Sequence, residues 1–167
     1  MSAPPHSIGI QNLGDFAVNE AQLQAAAALT LAQHPGTPPS ALTVVIAADD
    51  MVRALNQQYR GVDAPTDVLS FPADPLPPGI TGELPYLGDL IIAYPYAAAQ
   101  AARAGHALDD SLALLVIHGV LHLLGYDHDT CERRTAMWTA QAAALQGLNI
   151  PASIVPSLEG SGHDDAH

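Results

Sequence analysis

At 167 residues, 49% hydrophobic and only 13% charged, the chain is long enough for one domain with an adequate core and too apolar for a disordered one. Its formal net charge is −12 and every basic residue is arginine, which argues against a generic nucleic-acid binder, because phosphate affinity comes mainly from Lys and Arg. That balance still admits a nuclease in which one divalent metal and a few placed arginines build a local positive site.

Met1 to Pro5 is expected to be frayed, and Met1–His6 lacks the basic region of a signal peptide. Ser7 to Asn12 alternates weakly and reads as a first strand. The Ala- and Gln-rich run from Asn19 to Gln33 is expected to be a helix with Asn19 as N-cap, stopped by His34-Pro35-Gly36. Leu42 to Ala47 is a β-branched run suited to a buried strand. Asp49 or Asp50 is expected to cap a second helix through Gln58, with Met51, Leu55 and Tyr59 near helical spacing, and Arg60-Gly61 to end it. Asp67 to Phe71 reads as a short strand, Ala73 to Pro85 as an irregular Pro-rich loop, and Gly88 to Ala93 as another strand. Tyr96 to Ala104 reads as a helix. Asp109 or Asp110 is expected to cap the next one, which is apolar nearly all round from Leu112 to Leu124 and so belongs at the centre of the fold. That segment is too short to span a bilayer. Glu132 to Gln146 closes the body as a last helix, with Met137, Trp138 and Leu145 as core candidates. Residues 1–150 form the expected single domain. Residues 151–167 read as a flexible tail in which His163 and His167 are solvated. The lone Cys131 permits no internal disulfide and fits a reducing compartment, so a soluble, cytoplasmic protein without a membrane partner is expected. The order of elements indicates an α+β fold, a sheet of about four strands covered by helices around a central helix.

That central helix carries the chemistry. Ile117 to His128 reads I-H-G-V-L-H-L-L-G-Y-D-H. His118 and His122 are four apart and share a helix face. Such a pair can be no more than packed core histidines. Gly125, however, can take the left-handed conformation that ends a helix, and the turn it makes can return His128 over the pair. Three neutral imidazoles with a fourth position open are the ligand set of a catalytic zinc site. The spacing H-x-x-x-H-x-x-G-x-x-H is that of the metzincin proteases, but those carry Glu directly after the first His as general base. Here that position is Gly119.

Three blocks then resemble the YbeY family of bacterial endoribonucleases, also called rRNA maturation factors. They are Leu55 to Pro72 (L-N-Q-Q-Y-R-G-V-D-A-P-T-D-V-L-S-F-P), Leu87 to Ile92 (L-G-D-L-I-I), and His118 to His128. The resemblance implies a zincin-like α+β fold with one zinc ion and a single-strand-specific endoribonuclease. It also implies a role in 16S rRNA 3′-end processing and small-subunit quality control, with rRNA and small-subunit components as partners and no DNA. It places the metal ligands on His118, His122 and His128, and a functionally important arginine on Arg60. Imidazole ligands also suit other divalent transition metals.

Arg60 offers a planar fork for bidentate phosphate contact, or it is a C-terminal cation serving its own helix. Asp67 and Asp127 are candidates to accept the second N–H of a ligating histidine, or are turn residues. Met137 follows the third His as a Met-turn residue would, though a helical core Met fits its spacing better. No residue stands out as general base. Two further readings are a metzincin-type metallopeptidase, against which Gly119 counts, and a non-enzymatic ribosome assembly factor with a structural metal. Structural zinc normally takes four protein ligands, and neither His106 nor Cys131 has ligand spacing with the three histidines.

Overall fold

In the computed structural model, residues 6–73, 85–151 and 154 are described. The expected frayed start, nearly all of the Pro-rich loop, and the tail with His163 and His167 lie outside those residues.

The chain begins with β1 (Ser7–Asn12) and then α1 (Glu20–Ala32), whose entry is set by Asn19. The Asn19 side chain accepts a hydrogen bond from the Gln22 amide at 3.1 Å, a donor the first helical turn cannot satisfy internally. β2 (Ala41–Ala47), α2 (Asp49–Arg60), β3 (Val68–Pro72), β4 (Tyr86–Ala93), α3 (Tyr94–Ala104), α4 (Leu108–Leu123) and α5 (Cys131–Gly147) follow. The sheet has the order β1-β2-β4-β3, parallel from β1 to β4 and antiparallel between β4 and β3. The fold is α+β, as the order of elements implied.

Two expected caps are not made. Ala48 and Ala107 hold the N-cap positions of α2 and α4, so Asp49, Asp50, Asp109 and Asp110 lie inside the first turns. Their charge still favours those N-termini. Asp49 instead accepts from the Tyr96 amide at 3.0 Å, satisfying an orphan donor in the first turn of α3. That helix opens at Tyr94, earlier than expected, because Pro95 is tolerated in a first turn that needs no amide from it. The buried face of α2 is also shifted: Met51 and Tyr59 are 40% and 61% exposed, whereas Val52 and Asn56 are buried.

Alternation along β4 sends Leu90 and Ile92 to one face of the sheet and Ile91 and Ala93 to the other. The first face carries the main core under α1, α4 and α5; the second is covered by α2 through Val52 and Leu55. α4 runs through the middle, with every residue from Leu112 to Leu121 buried and neighbours in α1, α3, α5, β3 and β4. Each large apolar side chain so buried contributes roughly 1.5–3 kcal/mol. The helix holding the histidine pair is therefore among the least mobile parts of the molecule. Ile154 packs into the same core, so the core draws on a residue beyond Pro151.

Gly88 explains one glycine of the second block. Its φ is +144°, and a Cβ there would collide with the Phe71 carbonyl, so only glycine lets β4 approach β3 at this point. A register shift between β2 and β4 falls beside it. Among the described residues, no single helix is long and apolar enough to cross a membrane.

Candidate metal centre

The C-terminal end of α4 is built to reverse the chain. Leu124 is the cap, and Gly125 follows at φ +102°. The Gly125 amide donates to the His122 carbonyl and the Tyr126 amide to the Leu121 carbonyl, both at 3.0 Å, a paired closure that satisfies the last carbonyls of the helix. Two residues after Tyr126 the chain delivers His128.

Further contacts fix this turn. His34, at the end of α1, meets the Thr30 carbonyl through Nδ1 at 2.7 Å and the Tyr126 hydroxyl through Nε2 at 2.9 Å. The carbonyl can only accept, so Nδ1 carries the proton and Nε2 accepts from the phenol. Asp127 Oδ1 accepts from the His128 amide at 2.7 Å. The result brings His118, His122 and His128 together, with one ligand atom of each lying within 4.8 Å of the others. His118 and His128 are buried and His122 is half-buried. Trp138 of α5 forms a wall, its ring 5.8 Å from that of His118 and 6.0 Å from that of His128.

The donor set fits a metal. His118 Nε2 and His122 Nε2 face each other at 3.2 Å. Two nitrogen ligands at about 2.0–2.1 Å from a tetrahedral zinc stand roughly 3.3–3.4 Å apart, so this pair needs almost no adjustment. His118 Nδ1 lies 3.0 Å from Gln141 Oε1, both side chains being buried. The amide oxygen can only accept, so the proton sits on Nδ1 and leaves Nε2 with its lone pair directed at the cluster. The group contributes three donors among the described residues, which leaves a held ion a position for water or substrate. Cys131 is exposed on the first turn of α5 and stands outside the group.

Gly119 faces away from this chemistry. A Cβ there would stand 2.7 Å from Leu90 Cδ2, so the position packs helix against sheet. A general base at the place where metallopeptidases carry it would have to displace the Leu90 side chain. Asp67 is buried and its Oδ1 accepts from the Val68 amide at 2.8 Å. Asp127 bonds the main chain of His128, and the ring partner seen for His118 is Gln141, which sequence reasoning did not single out. Its only signal was its position on the last helix, one turn beyond Met137. Met137 is fully buried in the core, as a helical core Met should be. Arg60 sits in the last turn of α2, which packs on the sheet face opposite α4; its guanidinium donates to Asn56 Oδ1 at 2.6 Å.

Residues 10–149 match the family model described as Endoribonuclease YbeY. The chain belongs to this family. An Endoribonuclease YbeY from Gloeobacter violaceus is 43% identical over 143 residues, covering 84% of this chain and 74% of the relative. One from Alkalilimnicola ehrlichii is 47% identical over 124 residues (74% and 73%), and one from Mycolicibacterium paratuberculosis 39% over 145 (84% and 82%). The solution structure of TM1509 from Thermotoga maritima superposes with a TM-score of 0.54 at 23% identity, covering 93% of this chain and 97% of that one, and supports the fold. The three blocks that resemble the YbeY family are neighbours in space. The first ends in β3, the second lies in β4 beside it, and the third lies on α4, which packs on both strands.

Proposed function

We propose that this YbeY family member is a zinc-dependent, single-strand-specific endoribonuclease that works in the cytoplasm on the 3′ end of 16S rRNA and in small-subunit quality control. His118, His122 and His128 are the ligands of one zinc ion in this reading, and other divalent transition metals are competitors for the same imidazoles. The observation that carries it is the cluster of three histidine ligand atoms within 4.8 Å of one another at the end of a buried helix. The family supplies the RNA.

When bound, zinc supplies positive charge that acidifies water or polarises a phosphoryl oxygen. The protein's own residues do the rest. Buried α4 presents His118 and His122 one turn apart, and the Gly125 turn brings in His128. Gln141 keeps the His118 proton on Nδ1. Arg60 presents its fork to a phosphate of the RNA backbone and holds the strand there. Asn56, itself buried and donating to the Ala64 carbonyl at 2.8 Å, holds that guanidinium in place. The attacking oxygen is water or the RNA 2′-OH, and no side chain is assigned as its base.

Gly119, packed on Leu90, argues against a metallopeptidase. A site with three donors among the described residues argues against a purely structural metal in an assembly factor. The test is cleavage of a single-stranded rRNA 3′-end fragment by metal-loaded protein, beside a duplex RNA and a peptide substrate. Cutting of the single strand alone, lost in His122→Ala and in metal-replete Arg60→Ala, is the expected result. A 2′,3′-cyclic phosphate on the product would identify 2′-OH attack. Peptide cleavage, or no RNA cleavage by fully metallated protein, would overturn the proposal.

A further inference from the structure

We propose that Gln141 is a positioning residue that sets both the orientation of His118 and the strength with which the histidine cluster grips its metal, and that it does so through a neutral amide. The inference rests on the metal-binding reading of the three histidines and goes beyond it to the residue behind them.

Gln141 is 1% exposed and His118 is 0% exposed, so neither side chain can exchange its partner for water. Their contact, Oε1 to Nδ1 at 3.0 Å, joins the middle of α5 to the buried centre of α4. A buried amide is costly to leave unsatisfied, by about 1–3 kcal/mol, so a core position holding Gln instead of Leu or Met calls for a reason. The ring supplies one. His118 Nε2 faces His122 Nε2 at 3.2 Å, and it can serve as a ligand atom only if the ring proton is on Nδ1. Gln141 holds it there. With the amide reversed, its N–H would donate to Nδ1 and drive the proton to Nε2, into the cluster. Metal binding and the amide orientation therefore select each other.

The partner's chemistry also matters. Ligating histidines often donate to a carboxylate, whose charge makes the imidazole a stronger base and a better ligand. An uncharged amide orients the ring while adding little basicity. The ion then keeps more of its positive charge for substrate, at the expense of affinity. Gln141→Met, of similar volume, removes the acceptor. Gln141→Glu keeps an acceptor and adds charge. The two substitutions should move metal affinity in opposite directions, which a role in packing alone would not do.

The experiment is a zinc titration of metal-free protein against a chromogenic chelator, with thermal unfolding of the metal-free proteins in parallel. Leu145→Val, also in the core of α5, serves as a control for general loosening. Gln141→Met should weaken zinc about 10–100-fold, while Gln141→Glu should bind more tightly than wild type and Leu145→Val like wild type. Wild-type affinity in a folded Gln141→Met protein would overturn the inference alone, as would a Gln141→Glu protein that folds and binds as weakly as Gln141→Met. If Gln141→Met does not fold, Gln141→Glu decides: tighter zinc binding than wild type supports the inference, and equal or weaker binding overturns it. A wild-type protein that takes up no zinc would overturn the metal reading beneath it.

Discussion

Replacing Gly125 by alanine tests the turn on which the histidine cluster depends. Gly125 has φ +102°, and a Cβ added to it meets nothing within 4 Å. The substitution therefore creates no clash, and its cost is that of the backbone conformation, roughly 1–3 kcal/mol for a residue with a side chain. Reduced freedom of the unfolded chain returns about 0.4–1 kcal/mol, leaving a net loss near 1–2 kcal/mol. For a domain of this size that lowers Tm by about 3–6 °C. The chain can relieve the strain by abandoning the two closing bonds, Gly125 amide to His122 carbonyl and Tyr126 amide to Leu121 carbonyl. His128 then leaves the cluster, and zinc affinity falls by at least tenfold. Thermal unfolding and zinc titration of Gly125→Ala measure the two effects separately. Gly125→Asn, which tolerates the left-handed region better, should recover part of both. Wild-type Tm and zinc affinity in Gly125→Ala would refute the role assigned to this turn.

Other substitutions probe the surroundings of the site. Gly119→Glu should fail to install a peptidase base and should instead destabilise the protein by about 3 kcal/mol or more, because it buries an unpaired carboxylate against Leu90; a folded variant with peptidase activity would contradict this. Trp138 is the single tryptophan and lies within 6.0 Å of the His118 and His128 rings, so its fluorescence should be quenched stoichiometrically by Ni2+, and the quenching should vanish in His128→Ala. His34→Ala and Tyr126→Phe should each lower stability, and a double-mutant cycle should give a coupling of about 0.5–1.5 kcal/mol, the value of one hydrogen bond; strict additivity would mean that the 2.9 Å contact carries no energy.

What was legible in the sequence was whatever chemistry writes at fixed short spacing. The i, i+4 histidine pair, the Gly three residues on and His128 after it lie within one helix and one turn, so residue spacing shows that they can meet, while the His34–Tyr126 contact that fixes the turn is long-range. The β-branched and apolar runs located the strands for the same reason. The caps of α2 and α4 were misplaced because Asp is as comfortable inside a first turn as before it, and the choice was made by tertiary structure: Asp49 is drawn to the Tyr96 amide of another helix. The buried face of α2 was shifted because Asn56, a polar residue, is buried to hold Arg60 and the Ala64 carbonyl, while Tyr59 faces outward. Gln141 had no signal beyond its place on the last helix. It lies 23 residues from His118, and nothing local distinguishes it from other polar residues of α5.

We propose that one metal ion, held by these three histidines, is required for cutting RNA. The most direct measurement is a zinc titration of metal-free protein followed by cleavage of a single-stranded rRNA 3′-end fragment. Activity should rise in proportion to added zinc, level off at about one equivalent per chain, and stay absent throughout in His122→Ala, as expected for one ion held by the three histidine donors found among the described residues. Full cleavage by the metal-free protein, or an indistinguishable titration of His122→Ala, would contradict it.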